Sequence, residues 1–199
     1  MRTSDPLKSD IVRDEILRAA MELFRTYGMD KTTMEDIAEA AGKGKSTLYY
    51  YFDTKEDVFY AVACKERESA FHEIEKAVKA CKNAPDRMRE LFSVRRKIIS
   101  TKAKLYPLIF KETTKHLEFF GKMRRENNME EVNLLRRILE DGVASGDFGA
   151  IKEDDCGAIA VTAIAALHGM DLELLLDGKS ISDFDKMETM SNIFIRGLK

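Results

Sequence analysis

The sequence has little with which to break a helix: three prolines and eleven glycines in 199 residues. Abundant Ala, Glu, Lys, Leu and Met, with no long β-branched alternation, point to helices nearly throughout. Cysteine is scarce too. Cys64, Cys81 and Cys156 are odd in number and far apart, which suits reduced, buried thiols in a cytosol better than a disulfide frame or a zinc site. No stretch is apolar enough to span a bilayer. The longest uncharged run, 156–170, falls about five residues short and is rich in Ala and Gly. The polar start "MRTSDPLKSDIVRDE" lacks the apolar segment of a signal peptide, so the expected location is the cytoplasm, with no membrane partner. Nor does either sign of charge dominate. Thirty-three Lys and Arg against thirty-five Asp and Glu leave a net charge of -2, which announces no nucleic-acid partner.

What is present is helical periodicity over a chain long enough to bury a real core. Val12, Ile16, Ala19, Ala20, Leu23 and Tyr27 recur at helical spacing and Gly28 follows as a C-terminal cap. Thr33, with Asp36 three residues on, starts a second helix over 34–41 that stops at Gly42. A short third helix is expected over 45–52. Thr54 and Asp57 cap a long fourth helix reaching about residue 82. Asn83-Ala84-Pro85-Asp86 separates it from a fifth over 87–104, and Pro107 marks the next joint. Further helices are expected near 108–121, 124–145, 154–176 and 182–198.

The stretch "GKGKSTLYYYF", 42–52, invites two readings. Gly44-Lys45-Ser46 resembles the end of a phosphate-binding loop, which needs G-x-x-x-x-G-K-[ST] between a strand and a helix. The first glycine would have to be residue 39, which is Glu39, and the preceding "MEDIAEAA" is helical and acidic. Both requirements fail. No GxSxG, HExxH or paired-cysteine motif supplies another catalytic site, and the three histidines define no metal constellation. The expectation is no enzyme, no metal and no cofactor.

The other reading is a helix-turn-helix. Stepping about 100° per residue, Lys45, Ser46, Tyr49 and Tyr50 share one side of the third helix, while Leu48, Tyr51 and Phe52 share another. Leu48 and Phe52 suit packing against Ile37 and Ala38. The outward four suit a major groove: lysine donates to guanine, serine bonds either way, and tyrosine offers a ring to thymine methyls and a phenol to phosphate. For Tyr51, phosphate contact and packing remain open. Residues 1–60 hold nine Lys and Arg against twelve Asp and Glu. The basic footprint is therefore local, in Lys43, Lys45 and Lys55, and a modest salt dependence is expected.

The pattern "TTMEDIAEAAGKGKSTLYYYFDTKEDVF", with "ILRAAMELFRTYG" before it, resembles the DNA-binding signature of TetR-family transcriptional regulators. That resemblance implies an all-α protein, with a helix-turn-helix domain over 1–53 and a helical effector-binding and dimerisation domain over 54–199. By position, Lys45, Ser46, Tyr49 and Tyr50 correspond to base-facing residues, and Thr33, Thr47, Tyr51 and Lys55 to phosphate-facing ones. Such proteins are mostly homodimeric repressors that leave double-stranded DNA when a small molecule binds. Gly44, Lys43, Tyr51 and Asp53 depart from the commoner serine, apolar, histidine and basic residues at their positions. The alternative is a helical protein-interaction module with a vestigial helix-turn-helix.

In the second half, the helix over 154–176 is apolar nearly all round until Asp171, and the last helix carries a broad apolar face. Ile159, Ala163 and Leu167, with Phe184, Met187 and Phe194, are expected to pair with their symmetry mates in a C2 four-helix bundle, so the operator should be palindromic. A single core burying both helices in a monomer is the alternative. Phe92, Ile99, Tyr106, Phe110, His116, Phe119, Phe120 and His168 are candidate lining for an unknown small-molecule effector. The basic runs at Arg95 and Lys122 read as solvated faces.

Overall fold

The computed structural model describes the backbone of residues 6–105, 129–176 and 182–199, and the side chains of 9–102, 129–171 and 188–199. Regular structure among the described residues is all helical: α1 (Pro6–Tyr27), α2 (Met34–Ala40), α3 (Lys45–Tyr51), α4 (Lys55–Lys79), α5 (Ala84–Leu105), α6 (Met129–Ser145), α7 (Cys156–Leu176) and α8 (Ser182–Gly197), with a 3-10 turn at Glu153–Asp155. The chain divides into two compact units, and α4 runs through the division between Glu68 and Ser69.

In the first unit α1 packs on α2 and α2 on α3. Its α1 stripe, Ile16, Leu17, Ala20 and Phe24, is buried, as are Ile37, Ala38, Leu48, Val58 and Phe59. The Phe24 and Phe59 rings meet edge to face, 5.1 Å between centroids. Both expected capping boxes form. The Asp36 N–H donates to Thr33 Oγ1 at 3.2 Å and the Thr33 N–H to Asp36 Oδ2 at 2.8 Å. At α4 the Asp57 N–H donates to Thr54 Oγ1 at 3.1 Å and the Thr54 N–H to Asp57 Oδ2 at 3.0 Å. The turn between α2 and α3 depends on Gly42 at φ +64°. There the Lys43 N–H reaches back to the Ala38 carbonyl at 2.9 Å, a left-handed C-terminal cap that a side chain disfavours.

In the second unit α4 ends at Lys79 rather than near 82, because the Ala80 and Cys81 N–H groups bond the carbonyls three residues back. The next helix starts three residues earlier than expected. Asn83 Oδ1 accepts from the Asp86 N–H at 2.8 Å, and Pro85 sits in the first turn, where its missing N–H costs no helical bond. The core joins Ile74 and Val78 of α4 to Met88 and Leu91 of α5, Leu135 and Leu139 of α6, and Ala160 and Ile164 of α7. Phe148 closes one side against Gly142, where a Cβ would stand 2.1 Å from its ring. On α7, Ala158, Val161, Ala165 and Gly169 stay exposed, as do Met190 and Ile193 on α8.

Candidate functional site

α3 has an inward and an outward side. Leu48 is fully buried and Phe52, its C-cap, is 6% exposed, with the Arg13 guanidinium stacked 5.4 Å from the Phe52 ring centre. Tyr49 and Tyr50 point away, 48% and 73% exposed. Lys45 and Ser46 are exposed beside them, and Thr47 is half-buried. Tyr51 is half-buried and meets Tyr50 edge to face, 5.1 Å between centroids. The separation follows from the helical spacing: positions 48 and 52 lie one turn apart on the core side.

The cations around this face are not idle. Lys45 Nζ pairs with Glu35 Oε1 of α2 at 3.0 Å, and Lys43 Nζ with Glu15 Oε2 of α1 at 2.6 Å. Lys55 Nζ donates to the Met29 carbonyl at 2.7 Å, tying the start of α4 to the link after α1. The Thr33 hydroxyl is held in its capping box, donating to Asp36 Oδ2 at 2.7 Å. The hydrogen bond from Lys45 lowers the Glu35 carboxyl below its ordinary range, and the bond from Thr33 does the same for Asp36. Contact with a phosphate or base by Lys45 or Lys43 therefore competes with an internal carboxylate. Sequence reasoning does not single out Glu15 and Glu35, since their pairing is across helices and no spacing rule reports it.

The profile of "Bacterial regulatory proteins, tetR family" matches residues 16–62, from the first buried residue of α1 into α4. The regulator QacR of Staphylococcus aureus is 27% identical over 197 residues, covering 94% of this chain and 98% of that one. Residues 16–62 are thus similar to the regulatory proteins of the TetR family. The repressor NicS of Pseudomonas putida is 26% identical over 218 residues, covering 96% of this chain and 94% of its own. A solved transcriptional regulator from Cytophaga hutchinsonii superposes with a TM-score of 0.73 at 26% identity, covering 92% of this chain and 96% of the other. The likeness supports a DNA-binding transcriptional regulator rather than an enzyme, and α2 and α3 lie within the matched residues as the helix-turn-helix.

Of the residues considered for an effector site, Tyr106, Phe110, His116, Phe119 and Phe120 lie outside the described residues. Phe92 is buried and meets Phe194 edge to face at 6.0 Å, and Ile99 is half-buried. His168 is half-buried, its Nε2 3.3 Å from Glu131 Oε2. The same carboxylate oxygen accepts from Arg95 Nε at 3.1 Å, and Arg95 Nη2 donates to Asp171 Oδ2. Arg95, read from the sequence as part of a solvated basic run, is 4% exposed. Its burial follows from the two carboxylates that α6 and α7 bring to it. Burial alone would raise the Glu131 carboxyl, but the His168 hydrogen bond and the Arg95 charge outweigh it and hold it at about 2. At Asp171 burial wins over Arg95 and the carboxyl is raised. Among the described residues no group of three or more His, Cys, Asp or Glu is placed to hold a metal, and no helix is long and apolar enough to cross a membrane.

The residues considered for a dimer interface divide. Leu167 is buried in its own core, while Ile159, Ala163 and Phe194 are half-buried against it. The side chains of Phe184 and Met187 lie outside the described ones.

Proposed function

We propose that this regulator is a homodimeric cytoplasmic repressor that grips a palindromic operator with α3 of each protomer and leaves it when a small molecule binds the C-terminal unit. The observation that carries the DNA half is the solvent-facing pair Tyr49 and Tyr50 on a helix whose opposite side is fully buried. Two adjacent exposed aromatic rings on a short, well-anchored helix make a contiguous patch that suits a partner surface. A major groove admits such a helix and offers thymine methyls and phosphates to tyrosine. Lys45 and Ser46 complete the base-facing set, with Thr33, Thr47, Tyr51 and Lys55 toward the backbone. Residues 1–53 carry recognition and 54–199 carry effector binding and dimerisation.

Dimerisation is supported by the apolar surface left on α7 and α8, where Val161, Met190 and Ile193 are each more than half exposed. A second copy covers such a face by C2 symmetry, and the dyad sets two α3 helices about 34–36 Å apart, one turn of DNA. The names of QacR and NicS, a regulator and a repressor, favour repression. Sedimentation of the full chain tests the arrangement: a dimer at micromolar concentration, with two protomers on one duplex. A monomer that binds singly contradicts it.

A further inference from the structure

We propose that Arg95, Glu131, His168 and Asp171 form a binding site for a protonated nitrogen, an amine or amidinium, with Asp171 Oδ1 as the acceptor reserved for it. This rests on the reading that the C-terminal unit receives the effector, and it names the chemistry that unit selects. Three helices deliver these groups: Arg95 from α5, Glu131 from α6, His168 and Asp171 from α7. The Arg95 and Asp171 side chains are 5% and 9% exposed. Replacing such a buried ionic group by apolar residues is often neutral or stabilising, so stability alone does not explain its presence.

The hydrogen-bond count is incomplete in one place. Arg95 serves Asp171 Oδ2 and Glu131 Oε2, and His168 faces the same Glu131 oxygen. Asp171 Oδ1 is buried and meets no donor among the described residues. A bare buried acceptor loses its water and receives nothing back. Charge is incomplete in the same sense. Two carboxylates face one guanidinium, and His168 adds a second positive charge only when protonated. An anion would worsen that excess, and an alcohol would fill the oxygen but leave the charge. A protonated amine meets both needs. Burial raises the Asp171 carboxyl, and the Arg95 charge and hydrogen bond only partly offset it. Of the four, Arg95 borders a cavity of about 230 Å3, together with Phe92, Arg96, Glu188, Ser191 and Asn192, so open space meets the cluster at Arg95.

Three probes of one shape separate the possibilities: benzylamine, benzyl alcohol and benzoate, each titrated calorimetrically into the full-length dimer. Benzylamine is expected to bind most tightly and benzoate not at all. Asp171→Asn keeps the shape and removes the excess charge; it should melt below the wild type, having lost one partner of a buried pair, yet fold at the assay temperature and bind benzylamine about tenfold more weakly, the worth of a charged hydrogen bond. Equal binding of the three probes to the wild type, binding of none, or an unchanged benzylamine affinity in the variant overturns the site. Release of operator DNA by a probe irrespective of Asp171 would overturn the site yet leave the effector reading standing. Asp171-dependent amine binding that leaves DNA affinity untouched would support the site and refute the effector reading.

Discussion

Replacing Tyr49 and Tyr50 together by alanine removes the outward side of α3 and leaves its anchor in place. The structure sets the expected stability loss. Both rings are already about half or more in water, 48% and 73%. The main interaction removed is the edge-to-face pairing of Tyr50 with Tyr51, about 0.5–1.5 kcal/mol, and alanine returns a few tenths through its better helix propensity. A net loss of about 1 kcal/mol lowers the melting temperature of a chain this long by about 2–4 °C. Leu48→Ala is the control. It empties a fully buried site and should cost about 2–5 kcal/mol. Binding responds in the opposite order. Two base contacts worth about 1–3 kcal/mol each amount to a loss of at least about thirtyfold on operator DNA. Thermal melts and fluorescence anisotropy on a labelled duplex read both quantities. A double variant that melts as low as Leu48→Ala, or that binds operator like the wild type, would refute the assignment of faces.

Glu35→Gln frees Lys45 from an exposed pair that solvent screens. Affinity for non-specific duplex should rise about two- to fivefold, with a salt slope steeper by about 0.9 if Lys45 takes up a phosphate; a salt titration with no change in affinity contradicts the exchange. Gly142→Ala drives a Cβ into the Phe148 ring and should lower unfolding free energy by about 1–3 kcal/mol, read by urea denaturation and partly relieved by Phe148→Ala. Glu131, lowered from 4.5 to about 2 in the fold, stabilises fully above its unfolded value and loses that contribution as pH falls through this interval. The raised Asp171 works in the opposite direction, so the wild-type slope is the net of the two. Melting temperature against pH should fall less steeply between about 4 and 2 in Glu131→Gln than in the wild type, and parallel curves would count against the cluster.

Local chemistry was the part legible in the sequence. Thr33 with Asp36 and Thr54 with Asp57 identify helix starts because a cap involves only neighbours, and the inward and outward sides of α3 follow from a seven-residue spacing. Pro85 misled, since a proline reads as a break although the first turn tolerates it. Cross-helix pairing was not legible. Arg95 sits in a basic run and looks solvated, yet its partners lie 36 and 76 residues away. Lys45 and Lys43 likewise looked free for phosphate until α2 and α1 placed Glu35 and Glu15 beside them. On α7 the reason is different. A helix apolar all round carries no amphipathic bias, so the sequence could not say that Ile164 and Leu167 face their own core while Val161 faces out.

Selection of the purified protein over fragmented genomic DNA from its own source, at near-physiological salt, tests sequence-specific recognition by α3 most directly. The account predicts enrichment of one palindromic motif by the wild type and its loss in the Tyr49→Ala/Tyr50→Ala variant. A well-folded protein that enriches no motif, or a variant that enriches the same one, would contradict it.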